Sequence, residues 1–193
     1  MLVMLVGLVG FLALHSVRIF APRWRESMIA RLGPLGWKGI YSVLSVVFFV
    51  LLVIGYGQAR EHAQLVWLPP PALRHVGYLL VAVAFVFLAA AYVPGNAIKA
   101  KLRHPMILGV KLWAFAHLLM VGWLHAMIVF GAFLLWAIAD FANARRRAQQ
   151  PASGRPTAAM TILTVIVGLA FCAVFVRWLH LWLIGVAPMP VAG

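Results

Sequence analysis

The feature that most constrains this chain is an apolar run over residues 106–139, in which Lys111 is the only charged residue. A helix needs about 20 residues to cross the hydrocarbon core of a bilayer, so this run is too long for one crossing. The sequence predicts that the chain turns inside the run, and Gly122 followed by Trp123 is the best position for that turn. We therefore expect two spans here, at about 106–121 and 123–140.

Four further apolar segments, at about 1–21, 39–56, 75–93 and 158–176, each have the length of one crossing. With 65% hydrophobic and only 10% charged residues, the composition agrees with a membrane protein. The predicted fold is all-α: a polytopic transmembrane helical bundle of about six spans in a single domain over residues 1–193. Residues 22–38, with one apolar face and several basic residues, predict a short interfacial helix after the first span.

The net charge of +13 is distributed between the spans, where it sets orientation rather than binding nucleic acid. The connections after spans one, three and five contain most of the basic residues: Arg18, Arg23, Arg25, Arg31, Lys38, Lys99, Lys101, Arg103, Arg145, Arg146, Arg147 and Arg155. The intervening connections contain only Arg60 and Arg74. The positive-inside rule then predicts that both termini lie outside the cytoplasm. Because no cleavage pattern follows the first span, we expect it to be retained.

Several chemistries are excluded by residue type alone. The single cysteine, Cys172, rules out an internal disulfide and a cysteine cluster. Three acidic residues leave no pair of carboxylates for acid–base catalysis, and no phosphate-binding or dinucleotide-binding loop is present. Histidines inside apolar helices are the remaining candidates for a functional site, because ionisable groups at membrane depth are rare and usually functional.

Two spans carry the same pattern, in which a glycine, an aromatic residue and a histidine follow one another at intervals of four. Residues four apart share one face of a helix, so each set forms a stripe. Two neutral imidazoles on facing helices can bind both axial positions of a haem iron, with the glycines permitting close approach and the aromatics packing on the macrocycle. The two sets are Gly7, Phe11 and His15 in the first span and Gly109, Trp113 and His117 in the fourth.

Other interpretations of these histidines stay open at this point. In the alternative interpretation, each histidine bonds a backbone carbonyl or hydroxyl on a neighbouring helix, while Phe11 or Trp113 packs helices together. Arg18, Arg103 and His104 are candidates for contact with haem propionates, and their alternative roles are topology and headgroup contact. We expect the remaining histidines to be solvated at the outer interface; they are His62, His75, His125 and His180. An alternative interpretation is that His125 and His180 form a second metal or haem pair.

Ordered motifs along nearly the whole chain resemble the NnrU family. They are Gly7-x3-Phe11-x3-His15-Ser16-x-Arg18, Gly36-x-Lys38-Gly39-x-Tyr41-Ser42, Gly55-Tyr56, Trp67-x-Pro69-Pro70, Arg103-His104-Pro105, Leu112-Trp113-Ala114-x-Ala116-His117-Leu118-Leu119, Phe130-Gly131 and His180-x3-Ile184-Gly185-Val186. The resemblance implies a protein of the bacterial cytoplasmic (inner) membrane associated with nitrite and nitric oxide metabolism in denitrification. Its relatives include zeta-carotene isomerase, a haem b enzyme. The resemblance therefore implies haem b as the cofactor and His15 and His117 as its metal ligands.

Two departures from the family pattern limit what carries over. Ala114 stands where the isomerase has a cysteine implicated in redox-dependent ligand switching, so that switch cannot operate here. Val121-Gly122-Trp123 replaces a polar turn between spans four and five.

Three functions follow as hypotheses. The first is a haem b protein of nitrogen-oxide metabolism, which transfers electrons to or from a respiratory redox partner or binds nitric oxide. The second is a haem-dependent cis–trans isomerase of a polyene such as a carotenoid. The third is a cofactor-free assembly partner of a respiratory enzyme. Membrane lipid is an expected partner in all three.

Overall fold

A computed structural model describes residues 1–146 and 155–188 of the chain. Within these residues the structure is helical, apart from connecting segments and one isolated antiparallel bridge between Leu65 and Trp123. The prediction of an all-α fold is therefore confirmed. The helices are α1 (Leu2–Phe20), α2 (Pro22–Glu61), α3 (Ala72–Tyr92), α4 (Ala97–Leu102), α5 (Pro105–Met120), α6 (Leu124–Arg146), α7 (Ala158–Val174) and α8 (His180–Ile184), with a π-helical turn, Phe175–Leu179, joining the last two.

The chain divides into two compact units, Met1–Gln64 and Leu65–Gly193. The first unit consists of α1 and α2, which pack antiparallel along a stripe of small residues. Gly7 lies against the backbone of Leu52, and Gly55 lies against the backbone of Met4. Glycine is required at both positions because an added Cβ would overlap the facing backbone.

Helix α2 is kinked, because Gly33 has non-helical backbone angles (φ 73°, ψ 161°). This left-handed φ is readily adopted by glycine, and Pro34 suits the first turn of the helix that follows. The arm before the kink, residues 22–32, is a separate helical segment, shorter than the predicted interfacial helix over 22–38. The predicted second span over 39–56 lies within the arm after the kink, which covers residues 34–61.

The second unit is organised around α3. Gly109 of α5 lies against the carbonyl of Ala84, and Gly168 of α7 lies against the backbone of Val86, so α3 packs between these two helices. The core formed by Val81, Phe85 and Ala116 continues into Phe175 of the π-helical turn. Helix α6 packs on α5 as its hairpin partner.

The turn between α5 and α6 lies where the sequence predicts it, because α5 ends at Met120 and α6 begins at Leu124. The extended segment that begins at Leu65 is bonded to this turn, since the amide of Val66 donates to the carbonyl of Gly122 at 2.8 Å. An added Cβ on Gly122 would overlap the carbonyl of Trp67. Glycine is therefore needed at this position for close packing.

Five helical segments among the described residues are long and apolar enough to cross a membrane: Leu2–Phe20, Pro22–Glu61, Ala72–Tyr92, Leu124–Arg146 and Ala158–Ile184. Pro105–Met120 is also apolar but shorter. The predicted sixth span over 158–176 lies within a longer helical segment, which continues through the π-helical turn to Ile184. These apolar helices, with many exposed aliphatic side chains, are those of a multi-pass membrane protein.

Candidate functional site

His15 lies in the penultimate turn of α1, in the first unit. Its Nδ1 atom is 2.8 Å from the carbonyl oxygen of Phe11. The two rings are stacked, with centroids 4.1 Å apart and planes 24° from parallel. Tyr41 of α2 also approaches the imidazole, its ring centroid 5.3 Å from that of His15. A backbone bond and aromatic contacts thus help to hold this imidazole.

His117 lies in the last turn of α5, in the second unit, and has the same backbone bond. Its Nδ1 atom is 2.8 Å from the carbonyl oxygen of Trp113. The Trp113 ring is tilted against the imidazole at 5.0 Å, whereas Phe130 of α6 stacks on it at 4.3 Å with the planes 24° apart. The residue four positions before each histidine therefore fixes its ring, as the shared spacing indicates.

The shared bond determines which imidazole nitrogen carries the proton. A carbonyl oxygen only accepts hydrogen bonds, so Nδ1 is the donor in both His15 and His117. In a neutral ring the lone pair then lies on Nε2, which is the arrangement of histidines that bind metal through Nε2 while Nδ1–H bonds a carbonyl. The chemistry of both side chains fits the axial ligation of a haem iron.

An open groove of about 380 Å³ lies beside His15 within the first unit. Its walls are mainly apolar and aromatic, and two serines add hydroxyl groups; the lining residues are Phe11, His15, Tyr41, Ser42, Ser45, Val46 and Phe49. The hydroxyl of Ser45 is buried and has no hydrogen-bond partner among the described residues. The groove has the composition of a ligand site, which is mostly apolar with a few polar groups that fix orientation.

Sequence reasoning did not identify the α2 side of this groove as part of the site. Tyr41, Ser45 and Phe49 follow one another at intervals of four and therefore lie on one face of α2. That spacing, in a helix expected to neighbour α1, was the available signal. Phe130 was likewise missed, since only the packing of α6 on α5 shows that it stacks on His117.

The two predicted glycines lie against helices. Gly7 packs on Leu52, and Gly109 packs on Ala84 and Leu88. They permit close approach between neighbouring helices, and their predicted contact with a macrocycle stays a prediction. Among the predicted cations, Arg18 is exposed in the last turn of α1, three residues beyond His15.

Arg103 and His104 lie directly before α5. Arg103 is the only non-glycine residue with positive φ in the described chain. His104 is roughly 20 Å along the helix from His117, at 1.5 Å per residue. The contact of Arg103 and His104 with a cofactor stays a prediction.

The other histidines differ from the expectation of four solvated rings. His62 and His75 are exposed, as expected. His125 is only 3% exposed, because it lies in the first turn of α6, whose packing covers it, so the expectation for this residue is wrong. His180 is half-buried and bonded through Nδ1 to the carbonyl of Val186 at 2.7 Å, so it is not a freely solvated side chain either.

Within residues 1–146 and 155–188, no group of three or more histidine, cysteine or acidic side chains could hold a metal ion. Axial ligation of haem needs only two protein ligands, because the porphyrin supplies the other four. The fold and the paired histidine motifs thus define a multi-pass α-helical membrane protein with two similarly oriented imidazoles, one in each unit.

The comparison with known families names the group to which this protein belongs. The family model described as NnrU protein matches residues 3–188, and the chain is a member of the NnrU family. No curated protein and no solved structure matches the chain.

Proposed function

We propose that this NnrU-family protein binds haem b, with His15 and His117 as ligands of the iron, and acts in the metabolism of nitrite and nitric oxide. The observation that carries the proposal is the repeated arrangement of the two histidines. Each follows a glycine and an aromatic residue at intervals of four, and each donates Nδ1–H to the carbonyl of that aromatic residue.

The residues around each imidazole have defined roles in this proposal. The carbonyls of Phe11 and Trp113 hold the proton on Nδ1, which makes Nε2 a better donor to a metal. Phe130, stacked on His117, excludes water from one face of that ring. Bound haem supplies one-electron chemistry and an iron that binds nitric oxide, and its potential depends on these axial ligands and their hydrogen bonds.

The proposed location is the bacterial cytoplasmic membrane, with both termini on the periplasmic side. The support is the distribution of basic residues, which are concentrated in alternate connections between apolar helices. Helix α4 carries one of these basic groups, Lys99 and Lys101. The end of α6 carries another, Arg145 and Arg146. In this orientation a respiratory redox partner in the same membrane would exchange electrons with the protein.

The deciding experiment is an absorption spectrum of the purified protein, first oxidised in air and then chemically reduced. We expect a Soret band and, on reduction, the sharp visible bands of a haem with two histidine ligands. Nitric oxide added to the reduced protein should shift these bands if one axial position is labile. Absence of a Soret band, with none gained on adding haem, would overturn the proposal in favour of a cofactor-free assembly partner.

A second candidate function is the haem-dependent isomerisation of a polyene, and the groove beside His15 favours it. This groove is open and bordered by Phe11, Val46 and Phe49, as an elongated apolar ligand entering from lipid would require. The test is incubation of the reduced haem-loaded protein with a poly-cis carotenoid, followed by separation of the isomers. A changed isomer ratio that is lost in Ser45→Phe, with the haem spectrum retained, would support isomerisation; an unchanged ratio in wild type excludes it for that substrate.

A further inference from the structure

A cluster of basic side chains surrounds Phe141 near the end of α6, in the second unit. The Lys111 ammonium lies 5.0 Å from the ring centroid, and the Arg145 guanidinium carbon lies 6.0 Å from it. The His104 ring meets the same phenyl ring edge-on, at 6.3 Å and 90°. We call His104, Lys111, Phe141 and Arg145 the Phe141 cluster. Three groups able to donate hydrogen bonds thus converge on one aromatic side chain from two helices.

His104 carries a polar atom that the protein itself leaves unsatisfied. The Nε2 atom of His104 is buried and has no hydrogen-bond partner within the described residues. The chain enters this position through a tight turn, in which Arg103 has φ 65° and the amide of His104 donates to the carbonyl of Leu102 at 2.7 Å. A buried polar atom without a partner is unfavourable, and such atoms often mark a ligand site.

The charge of this region is strongly positive. Arg103, Lys111, Arg145 and Arg146 lie here, and Asp140 is the acidic residue beside them. Lys111 is placed two turns inside an apolar helix, so its ammonium must be directed toward the helix end. Cations held in this way on the border of an apolar helix pair attract an anion that itself lies at the membrane interface.

We propose that the Phe141 cluster binds the phosphodiester of an anionic membrane phospholipid. Lys111 and Arg145 would donate charge-assisted hydrogen bonds to the phosphate oxygens, with Nε2–H of His104 as a further donor, while Phe141 packs on the glycerol region. Lys111 lies about 9 Å along α5 from His117, so the propionates of a haem bound to His117 are the competing occupant of this cluster, and a variant of His117 distinguishes the two.

The test is native mass spectrometry of the full chain in detergent, titrated with phosphatidylglycerol or with phosphatidylcholine of the same acyl chains. We expect wild type to prefer phosphatidylglycerol at least tenfold. Lys111→Gln and Arg145→Gln should each weaken its binding about fivefold, because one Lys or Arg near an anionic lipid contributes about 1 kcal/mol. Asp140→Asn should strengthen binding, since it removes the neighbouring negative charge.

The matched control is Arg177→Gln. Arg177 also lies over an aromatic ring, that of Trp178 at 5.8 Å, but outside the Phe141 cluster. This variant should bind phosphatidylglycerol as wild type does. Equal weakening by Arg177→Gln and Arg145→Gln would show an effect of net charge alone and would overturn the site. Since Arg145 is exposed, its variant tests the proposal even if Lys111→Gln does not fold.

Two further arms identify the source of the phosphate and separate this inference from haem binding. Excess inorganic phosphate should leave phosphatidylglycerol bound; displacement by phosphate alone would indicate a site for a free anion instead of a lipid. The same titration on His117→Ala should retain the preference, because a phospholipid at the Phe141 cluster needs no haem at His117. Loss of the preference in His117→Ala would overturn the separation of the two sites.

Discussion

The two histidine-bearing helices, α1 and α5, share a local arrangement but differ in what surrounds it. In both, Nδ1 bonds the carbonyl four residues earlier at 2.8 Å. In α1 the aromatic residue of the same helix, Phe11, stacks on His15. In α5 the corresponding Trp113 is tilted, and Phe130 from a neighbouring helix takes the stacking position. The backbone carbonyl four residues earlier in the same helix therefore determines the protonated nitrogen, while tertiary packing determines which face of the ring is covered.

The glycines of the two motifs also differ in the atoms that surround them. A Cβ on Gly7 would overlap the backbone of Leu52, which cannot move independently of its helix. A Cβ on Gly109 would lie 3.0 Å from the carbonyl oxygen of Ala84 and 3.2 Å from side-chain carbons of Leu88. The contact of this Cβ with Leu88 is tight, but it involves a side chain that can rotate. The same residue type at the same motif position thus has unequal structural importance.

The largest expected effect is that of removing either histidine. If both are iron ligands, His15→Ala and His117→Ala should each abolish or shift the bands of the haem spectrum and lower haem affinity by at least about 100-fold, since loss of even an outer-shell partner costs 10–100-fold. Titration of the haem-free variants with haem, followed by absorption, measures this. The matched controls are the exposed His62→Ala and His75→Ala, which should leave the spectrum unchanged. An altered spectrum for only one of the two motif histidines would show that the motifs are not functionally equivalent.

The next effect concerns the glycines. Gly7→Ala should destabilise the protein by roughly 1–3 kcal/mol, the usual cost of forcing extra atoms into a packed interface. Gly109→Ala should have a smaller effect, because its added Cβ would lie 3.0 Å from the nearest backbone atom, whereas the Cβ on Gly7 would lie 2.3 Å from one. Gly39→Ala is the control, since no atom lies within 4 Å of the added Cβ and alanine favours a helix. Thermal unfolding in detergent, monitored by circular dichroism, should give the highest melting temperature for Gly39→Ala, a lower one for Gly109→Ala and the lowest for Gly7→Ala. A reversed order for Gly7 and Gly109 would contradict the packing difference.

The smallest expected effect is that of the stacking ring at His117. Phe130→Leu should reduce haem affinity by about 2- to 10-fold, because an aromatic pair contributes about 0.5–1.5 kcal/mol beyond simple burial. Phe133→Leu serves as the control, since Phe133 contacts Trp113 at 5.5 Å and is also buried. Equal losses from the two variants, measured by haem titration, would mean that stacking on His117 has no special contribution.

Local rules predicted some elements well. The turn at Gly122 followed from the length of the apolar run, because a helix crossing a membrane has a limited length. The bonds of His15 and His117 to carbonyls of their own helices were not predicted, since only carbonyls or hydroxyls on neighbouring helices were expected as their partners.

Contacts between distant residues were not accessible in this way. Nothing near Gly122 in the sequence indicates that Val66 bonds its carbonyl, and nothing near His117 indicates that Phe130 covers it. The short helix α4 was also missed, since its start depends on the buried Asn96, whose side chain accepts a bond from the amide of Lys99 at 2.7 Å. Such interactions depend on which helices become neighbours.

The π-helical turn Phe175–Leu179 has a consequence for how this chain can vary. A π turn takes one more residue than an α turn, so it is equivalent to a one-residue insertion in a continuous helix. Each residue of an α-helix advances by about 100° around the axis. Deleting one residue between Phe175 and Leu179 would restore regular winding and leave His180 and α8 on about the same face relative to α7, because the π turn already absorbs the extra residue within one turn. In a regular α-helix the same deletion would turn the end of the helix by about 100°, so the π turn lets this segment change length by one residue without turning its faces.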